Sequence, residues 1–550
     1  MKKLAFLITF LFILDTFINL DVLARPGGGS SFRSSRSYSS SSSKSYSSSS
    51  YKSKSYSSSS YSSSSSYKPN YSSGYSSNTY NSSNTGTYAS TSEPTFEEML
   101  IGFAVFIGLI ILFIYINYLI IRYVYRKAKS IFFSGHNKNY DTFKKVGTTE
   151  EMSNISSSEI ESLIEQFKEK DENFSKVLFY DFVNSLYHKF YTSYGDKKKL
   201  NNLKAFINPN ELEEQTKGQG KISSVIIGSI DIIDVKEKDD KDLIVVEIDA
   251  NYTLDNKGYQ IKYLILEKWC FMREKGVLSK EPEQMRNISC PSCGGANDLT
   301  DAGACTYCGV EIVRGKMQWA LKSRVVVLHE QFLENENLGT DVQEEGTELE
   351  TIKQVSLSEN INKFQENNSL SDFDSYFNSF TDKTVKPFIL NLYNRWSNNK
   401  IDMLRPFISD RLYESFDFWL KDYAQKSLNN RVDGVKINKI ELAKVEIDKF
   451  YEAITVRIFI HCFDYTELNG KITAGSRSKV RKFTEYWTFI RKTGVELNNL
   501  DFDPNNCPSC GAPIAKKAQS AKCEYCGSVT NQGDFSWTLV VITQDETYKG

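Results

Sequence analysis

Histidine is scarce in this sequence, with four among 550 residues: His136, His188, His329 and His461. Imidazole is the most common general base and a frequent metal ligand, so its scarcity disfavours chemistry that depends on it. The sequence also lacks a phosphate-binding glycine loop, a nucleophile elbow and an HExxH motif. It therefore carries no recognised catalytic signature.

A positive net charge is also missing, since 67 Lys and Arg face 68 Asp and Glu. Residues 1–130 carry 13 basic and 5 acidic residues, a balance of +8, which leaves about −9 for residues 131–550. A nucleic-acid binder normally shows a basic surface, because phosphate neutralisation supplies most of its affinity. We therefore expect no nucleic-acid partner.

The N-terminal region reads as an export signal followed by a low-complexity segment. Residues 1–24 resemble a signal peptide, with two lysines, the apolar run LAFLITFLFIL and a cleavage site after Ala24. Residues 25–95 are rich in Ser and Tyr and cannot bury enough apolar surface to fold, so we expect a disordered extracytoplasmic segment. It is either a flexible tether or a basic arm that contacts anionic envelope polymers.

Residues 99–121 form a mostly apolar run of 23 residues without one charge. As a helix this run would be about 34 Å long, enough to cross a hydrocarbon core of roughly 30 Å. Three glutamates precede it and Arg122, Arg126, Lys127 and Lys129 follow it, so the positive-inside rule places the C-terminal side in the cytoplasm. The sequence predicts a single-pass protein of a bacterial plasma membrane, with the Ser/Tyr-rich segment outside.

Beyond residue 131 the sequence repeats itself. Trp269 and Trp319 recur as Trp487 and Trp537 at a spacing of 218, and the cysteine pairs recur at 217 or 218. Each copy begins with helical periodicity and continues with alternating β-branched and aromatic residues, which are typical of half-buried strands. We therefore predict two α+β modules, over residues 160–330 and 360–546, joined by an acidic linker at 331–355.

Each copy also contains two CxxC pairs, each followed by glycine. We predict zinc ribbons at 290–308 and 507–526, with the ligands Cys290, Cys293, Cys305, Cys308, Cys507, Cys510, Cys523 and Cys526. Four thiolates without an open position describe a closed structural site, so two structural zinc ions are expected. Iron in the same ligand set, disulfides and redox activity are the alternatives, and a reducing cytoplasm disfavours disulfides.

One pattern has the spacing of a possible pocket lining. Glu267-x-Trp269-x-Phe271-x-Arg273 and its counterpart at 485–491 place four side chains on one strand face. In one interpretation they line a pocket with a catalytic carboxylate. In the favoured interpretation they form a packed aromatic face with the Glu and Arg paired at its ends. Cys270 and Cys462 are expected to pack as small apolar residues.

The second copy contains LRPFISDRLYESF, ITVRIFIHCFDY and TAGSRSKVRKFTEYWTFIRK, and these tracts resemble the Tim-forty-four-like (Tim44-like) domain family over roughly residues 375–545. The first copy is similar but weaker, with LEKWCFMRE in place of FTEYWTFIR. The resemblance implies a cone-shaped fold like nuclear transport factor two, with helices packed on a curved antiparallel sheet. It also implies membrane association and a scaffold or lipid-binding role. The duplication and the ribbons depart from the simple family pattern.

These observations lead to one main hypothesis, a membrane-anchored, non-enzymatic scaffold that binds a protein or lipid at the cytoplasmic face and is linked to protein transport. One alternative is a cone-fold enzyme that acts on an apolar small molecule. The other is an envelope-sensing signalling protein.

Overall fold

The structure is a computed structural model that describes residues 155–286, 288–296, 299–300, 303–331, 349–495, 501–514, 521–545 and 547–550. The predicted signal peptide, the Ser/Tyr-rich segment and the predicted span at 99–121 lie outside these ranges. Within the ranges, no helix is both long enough and apolar enough to cross a bilayer.

The first module places helices before and against a four-stranded antiparallel sheet. Its helices are α1 (Ser157–Lys170), α2 (Lys176–Thr192), α3 (Lys197–Asn201), α4 (Pro209–Thr216) and α5 (Pro282–Arg286). Its strands are β1 (Lys221–Lys238), β2 (Lys241–Asn256), β3 (Tyr259–Glu274) and β4 (Ala320–Gln331), in spatial order β1-β2-β3-β4. Ser156 and Ser175 cap α1 and α2 by accepting hydrogen bonds from backbone amides in the first turn.

The second module follows the same plan. Its helices are α6 (Leu357–Asn367), α7 (Phe373–Phe380), α8 (Lys386–Ser397) and α9 (Asp410–Gln425), with a π-helical turn at Thr381–Val385 and a 3-10 helix at Ile401–Phe407. Its strands are β5 (Leu428–Ile447), β6 (Tyr451–Leu468), β7 (Lys471–Gly475), β8 (Arg481–Lys492) and β9 (Thr538–Gln544). The sheet order is β5-β6-β8-β9, and β7 pairs with β6.

Both sheets are bent along their first strands. The pairing of β1 with β2 and that of β5 with β6 each contain three register shifts, and such irregularities bend a strand and increase its twist. Two-residue turns with positive φ close the hairpins, as at Asn469 and Gly470 between β6 and β7. The helices of each module cover the face that carries its large aromatic residues, and the α+β prediction is confirmed.

The last strand of each sheet is held by the segment that precedes the long strands. Leu321 in β4 donates its backbone amide to Phe206 at 2.6 Å, and Ser409 donates to Leu539 in β9 at 2.9 Å. These contacts belong to the related segments LKAFI and LRPFI. The equivalent placement supports a duplicated module, although membership of the first copy in the Tim44-like family stays a prediction.

The two modules contact each other within one compact unit. Helix α9 of the second module packs against β1 of the first. Lys262 on β3 donates to Asp422 on α9 at 2.7 Å, and Lys176 on α2 donates to Glu446 on β5 at 2.9 Å. Leu264 packs into the hydrophobic core of the second module. The modules therefore form an interface of apolar contacts framed by partly buried ion pairs.

Candidate metal centres and buried ion-pair networks

The eight predicted zinc ligands form two groups of four. In the first, Cys290 Sγ lies 4.0 Å from Cys308 Sγ, and Cys293 Sγ lies 3.9 Å from Cys305 Sγ. In the second, Cys510 Sγ lies 3.9 Å from Cys523 Sγ. Within each group all four sulfurs lie within 4.8 Å of one another.

Each CxxC turn has the same backbone, and glycine makes it possible. In all four turns the residue after the second cysteine donates to the carbonyl of the first, as Gly294 does to Cys290 at 2.9 Å. The four glycines, Gly294, Gly309, Gly511 and Gly527, have φ between 70° and 74°, a region that side chains with a Cβ rarely occupy. The glycine that follows each CxxC pair in the sequence is therefore required by the turn.

The geometry fits a tetrahedral zinc ion. With Zn–S bonds of about 2.3 Å, the sulfurs of a tetrahedral site are roughly 3.8 Å apart, close to the observed separations. All ten cysteines are free thiols, in contrast to the disulfide alternative. The four-sulfur sets can hold metal ions, and they would supply a closed structural site without an open position for substrate. The same donors would also suit iron.

The thiols within each ribbon have different acidities. Burial raises the pKa of Cys290 and of Cys507 to about 12. A backbone hydrogen bond within the knuckle lowers the pKa of Cys305 to about 7, and a hydrogen bond with Ser528 lowers that of Cys526 to about 6. A metal ion must therefore displace protons from the buried thiols, so its affinity should rise with pH.

The four-residue strand faces are packed and fully occupied. Glu267, Trp269 and Phe271 are all 0 % exposed, and Arg273 is 1 % exposed. Glu267 accepts from Arg324 on β4 at 2.7 Å, and Arg324 also donates to Glu211 on α4 at 2.6 Å. The expectation that this Glu and this Arg pair with each other is wrong, because period-two spacing keeps the ends of the face too far apart.

Arg273 instead anchors a network at the base of the first ribbon. It donates to Asp171, the residue that follows α1, at 2.8 Å and to Asp242 on β2 at 3.3 Å. Its guanidinium lies over the ring of Trp319, 4.3 Å from the centroid, where the chain leaves the ribbon. Ser279 at the ribbon entry donates to the same Asp171 at 2.7 Å.

The second module repeats this network with altered residues. Arg491 on β8 pairs with Glu452 on β6, donates to Asn368 at 2.9 Å and lies 4.8 Å from the Trp537 ring centroid. Asn368 stands where the first module has Asp171, and Glu452 where it has Asp242. The sequence identified the arginine and the tryptophan but missed their acidic and amide partners. The tandem spacing does not locate Glu452, because Glu452 follows Asp242 by 210 residues and not by the 217 or 218 of the cysteines.

Three other residues of reactive types, Cys270, Cys462 and Asp464, are buried within the sheets. Cys270 and Cys462 are 3 % and 2 % exposed within their strands, in agreement with packing as small apolar residues. Asp464 accepts from Arg481 at 2.5 Å and from Asn430 at 2.9 Å. Its carboxylate is therefore committed to contacts within the sheet.

Comparisons with known proteins assign one part of the chain. No curated protein matches it. A solved structure described as an "Ntf2 like protein involved in plasmid conjugation" aligns with 59 % of this chain and 96 % of its own, with 11 % identity and a TM-score of 0.16, and at that score the likeness carries no argument. The Tim44-like domain matches residues 370–501, which run from the start of α7 through β8 and end before the second ribbon. Residues 370–501 therefore form a Tim44-like domain.

Proposed function

We propose that this protein is a membrane-anchored, non-enzymatic scaffold that binds a protein or lipid partner at the cytoplasmic face of a bacterial plasma membrane. The observation that carries the proposal is the Tim44-like domain at residues 370–501, which suggests a membrane-associated function related to protein transport. Residues 99–121 would be the anchor, because 23 uncharged residues followed by a basic cluster suit a single span.

A binding role agrees with the chemistry of the module interiors. The candidate catalytic carboxylates, Glu267 and Glu485, are both 0 % exposed. Glu267 is held by Arg324, and Glu485 accepts from Trp487 Nε1 at 3.0 Å and from the Tyr393 hydroxyl at 3.4 Å. A general base must reach the proton that it abstracts, and these groups contact only the core. Their burial supports binding over turnover.

The ribbons add a docking surface to the proposal. We assign two structural zinc ions to the eight cysteines, because the donor set and the sulfur separations suit zinc. Each ribbon exposes an equivalent tyrosine, Tyr307 at 66 % and Tyr525 at 70 %. Exposed aromatic side chains on a rigid knuckle are typical anchors of protein interfaces. Nucleic acid is not included as a partner, because residues 131–550 carry about −9.

The test is a cross-linked pull-down from native membranes, with the full chain compared against a form that lacks residues 131–550. Co-purifying proteins and lipids are both quantified. A stoichiometric protein captured only by the full chain supports the scaffold. Turnover of an apolar metabolite by the full chain, with no enriched protein or lipid, would overturn it.

A second pair of baits tests the docking surface. Tyr525→Ser removes an exposed ribbon aromatic, and Tyr259→Ser removes an equally exposed tyrosine, 76 % accessible, at the β2–β3 hairpin. We expect only the ribbon variant to lose the captured protein. Equal recovery with both variants would assign the partner to another surface.

A further inference from the structure

A cleft of about 460 Å³ lies between the two modules. Helix α2 and strand β1 of the first module contribute Tyr180 and Ile230 to one wall, and the sheet of the second module contributes Ile490 and Ile542 to the other. Ligand sites in proteins typically have volumes of about 300–1,000 Å³ and mostly apolar walls with a few polar groups. The cleft therefore has room for a small organic molecule.

Most charged groups around the cleft are already paired. The lining contains six basic and six acidic side chains, so the cleft has no net charge. Lys176 pairs with Glu446 at 2.9 Å, and Arg286 pairs with Asp181 at 3.2 Å. These pairs fix the walls and leave little capacity to bind an external ion.

Three charged lining groups differ from the others: Lys549, which is exposed, and the pair of opposite charge Arg411 and Asp231. Arg411 is the second residue of α9, and Asp231 lies on β1 in the facing wall. Among the residues that the structure describes, the Arg411 guanidinium and the Asp231 carboxylate make no hydrogen bond and no ion pair within 4 Å. Burial lowers the pKa of the Arg411 guanidinium. Electrostatic interactions with Asp231, Asp181 and Tyr180 act to raise it. Arg411 and Asp231 therefore line the same cleft and interact electrostatically, but they do not form an ion pair.

A half-buried guanidinium without a partner is costly, since a desolvated polar group normally finds a hydrogen bond. A simple anion would satisfy Arg411 but would then face Asp231, and a simple cation would meet the reverse problem. A ligand with both charges satisfies both groups. The neutral balance of the cleft also favours a molecule without net charge.

We propose that the cleft binds a small zwitterion, with its carboxylate or phosphate on Arg411, its primary ammonium on Asp231 and its apolar body against Tyr180, Ile230 and Ile542. Free amino acids and the head group of phosphatidylethanolamine both have this chemistry. The site is separate from the ribbons and does not depend on the scaffold proposal.

The test is calorimetric titration of the full chain in dodecyl maltoside with three matched probes: L-phenylalanine, phenylacetate and phenethylamine. A fourth and a fifth probe, dihexanoyl phosphatidylethanolamine and dihexanoyl phosphatidylglycerol, distinguish the lipid source from the free amino acid. We expect at least one zwitterion to bind at least ~10-fold more tightly than its singly charged analogue, because a tenfold ratio corresponds to about 1.4 kcal/mol and the second charged contact is a charge-assisted hydrogen bond. Equal affinity within both sets, or no binding by either zwitterion, would overturn the proposal.

Variants locate the site. Arg411→Gln should bring the zwitterion to within about twofold of phenethylamine, because Asp231 still binds the ammonium of both. Asp231→Asn should bring it to within about twofold of phenylacetate, because Arg411 still binds the carboxylate of both. Both variants should fold, because neither side chain holds a partner in the described structure, and unchanged thermal unfolding checks this. Arg477→Gln, in an arginine that is 59 % exposed away from the cleft, should leave every affinity unchanged. Loss of binding in Arg477→Gln alone would assign the ligand to another site.

Discussion

The buried ion pair at the base of the second ribbon allows a quantitative prediction. Glu452 is 0 % exposed and Arg491 is 2 % exposed, and Arg491 also lies over the Trp537 ring. Arg491→Met keeps most of the side-chain volume but leaves Glu452 with only the Asn368 amide as a partner. Removing one member of a buried pair typically costs about 3–5 kcal/mol, because the remaining charge is desolvated and uncompensated.

Hydrogen–deuterium exchange of peptides from β6 and β8 measures this cost in the full chain. A loss of 3–5 kcal/mol corresponds to roughly 100- to 4,000-fold faster exchange. The double variant Arg491→Met/Glu452→Gln removes the stranded charge and should recover most of the protection. Lys363→Met breaks an exposed pair with Glu359 and should change exchange little. Wild-type protection in the Arg491→Met variant, or a double variant as labile as the single one, would refute the reasoning.

Three further predictions follow from the described contacts. Cys526→Ser should lower the zinc content from two ions per chain to one by inductively coupled plasma mass spectrometry, whereas Cys462→Ser should leave two; equal zinc in both variants would contradict the ligand assignment. Burial acts to raise the pKa of Asp422, but hydrogen bonds from two lysines outweigh it and lower the pKa below the ordinary 3.8, so its contribution to stability is present above about pH 4 and lost as pH falls through the folded pKa. The melting temperature of Asp422→Asn should therefore fall below that of the wild type at pH 7, and the two should converge as the pH falls through the folded pKa; a gap that widens in acid would count against this. Gly475→Ala should destabilise the β6–β7 hairpin by about 1–3 kcal/mol, because its Cβ would lie 2.2 Å from the Asp464 carbonyl oxygen at a φ of +71°, and the thermal shift should exceed that of Gly470→Ala, whose Cβ meets nothing within 4 Å.

Local and periodic features were predictable from the sequence. The tandem spacing of cysteines and tryptophans indicated two modules of the same plan, and the glycines after the CxxC pairs indicated the turns that bring the sulfurs together. KISSVIIGSIDIIDV falls within β1 and FTEYWTFIR within β8, because alternation of apolar residues reports a strand directly. The short strand β7 was missed, since its five residues are exposed or half-buried and carry little periodicity.

Long-range polar contacts were not predictable. Asp171 and Arg273 are 102 residues apart, and no local pattern indicates that a helix-terminal aspartate meets the end of the third strand. The interface between the modules was also missed. Part of its contacts come from α9, which has 16 residues, whereas the matching α4 of the first module has eight. This difference in length breaks the equivalence of the copies and lets one helix cover the sheet of the other module.

Each ribbon lies between the third and the last strand of its sheet. The contribution that a bound metal ion would make to the folding free energy can be estimated. About 45 residues separate β3 from β4, and roughly 25 of them would remain flexible with the ribbon as a fixed body. Shortening the flexible loop from about 45 to roughly 25 residues lowers the entropic cost of loop closure by only about 0.5 kcal/mol. The binding of a structural zinc ion contributes about 10–16 kcal/mol. A bound metal would therefore fold the ribbon itself, while β4 is held independently by the Leu321 to Phe206 hydrogen bond. Treatment with a strong zinc chelator should accelerate exchange in ribbon peptides and leave β3 and β4 protected. Simultaneous loss of protection in the sheet would mean that the ribbon stabilises the whole module. That stabilising role would then explain the ribbon, without a docking function for its exposed surface.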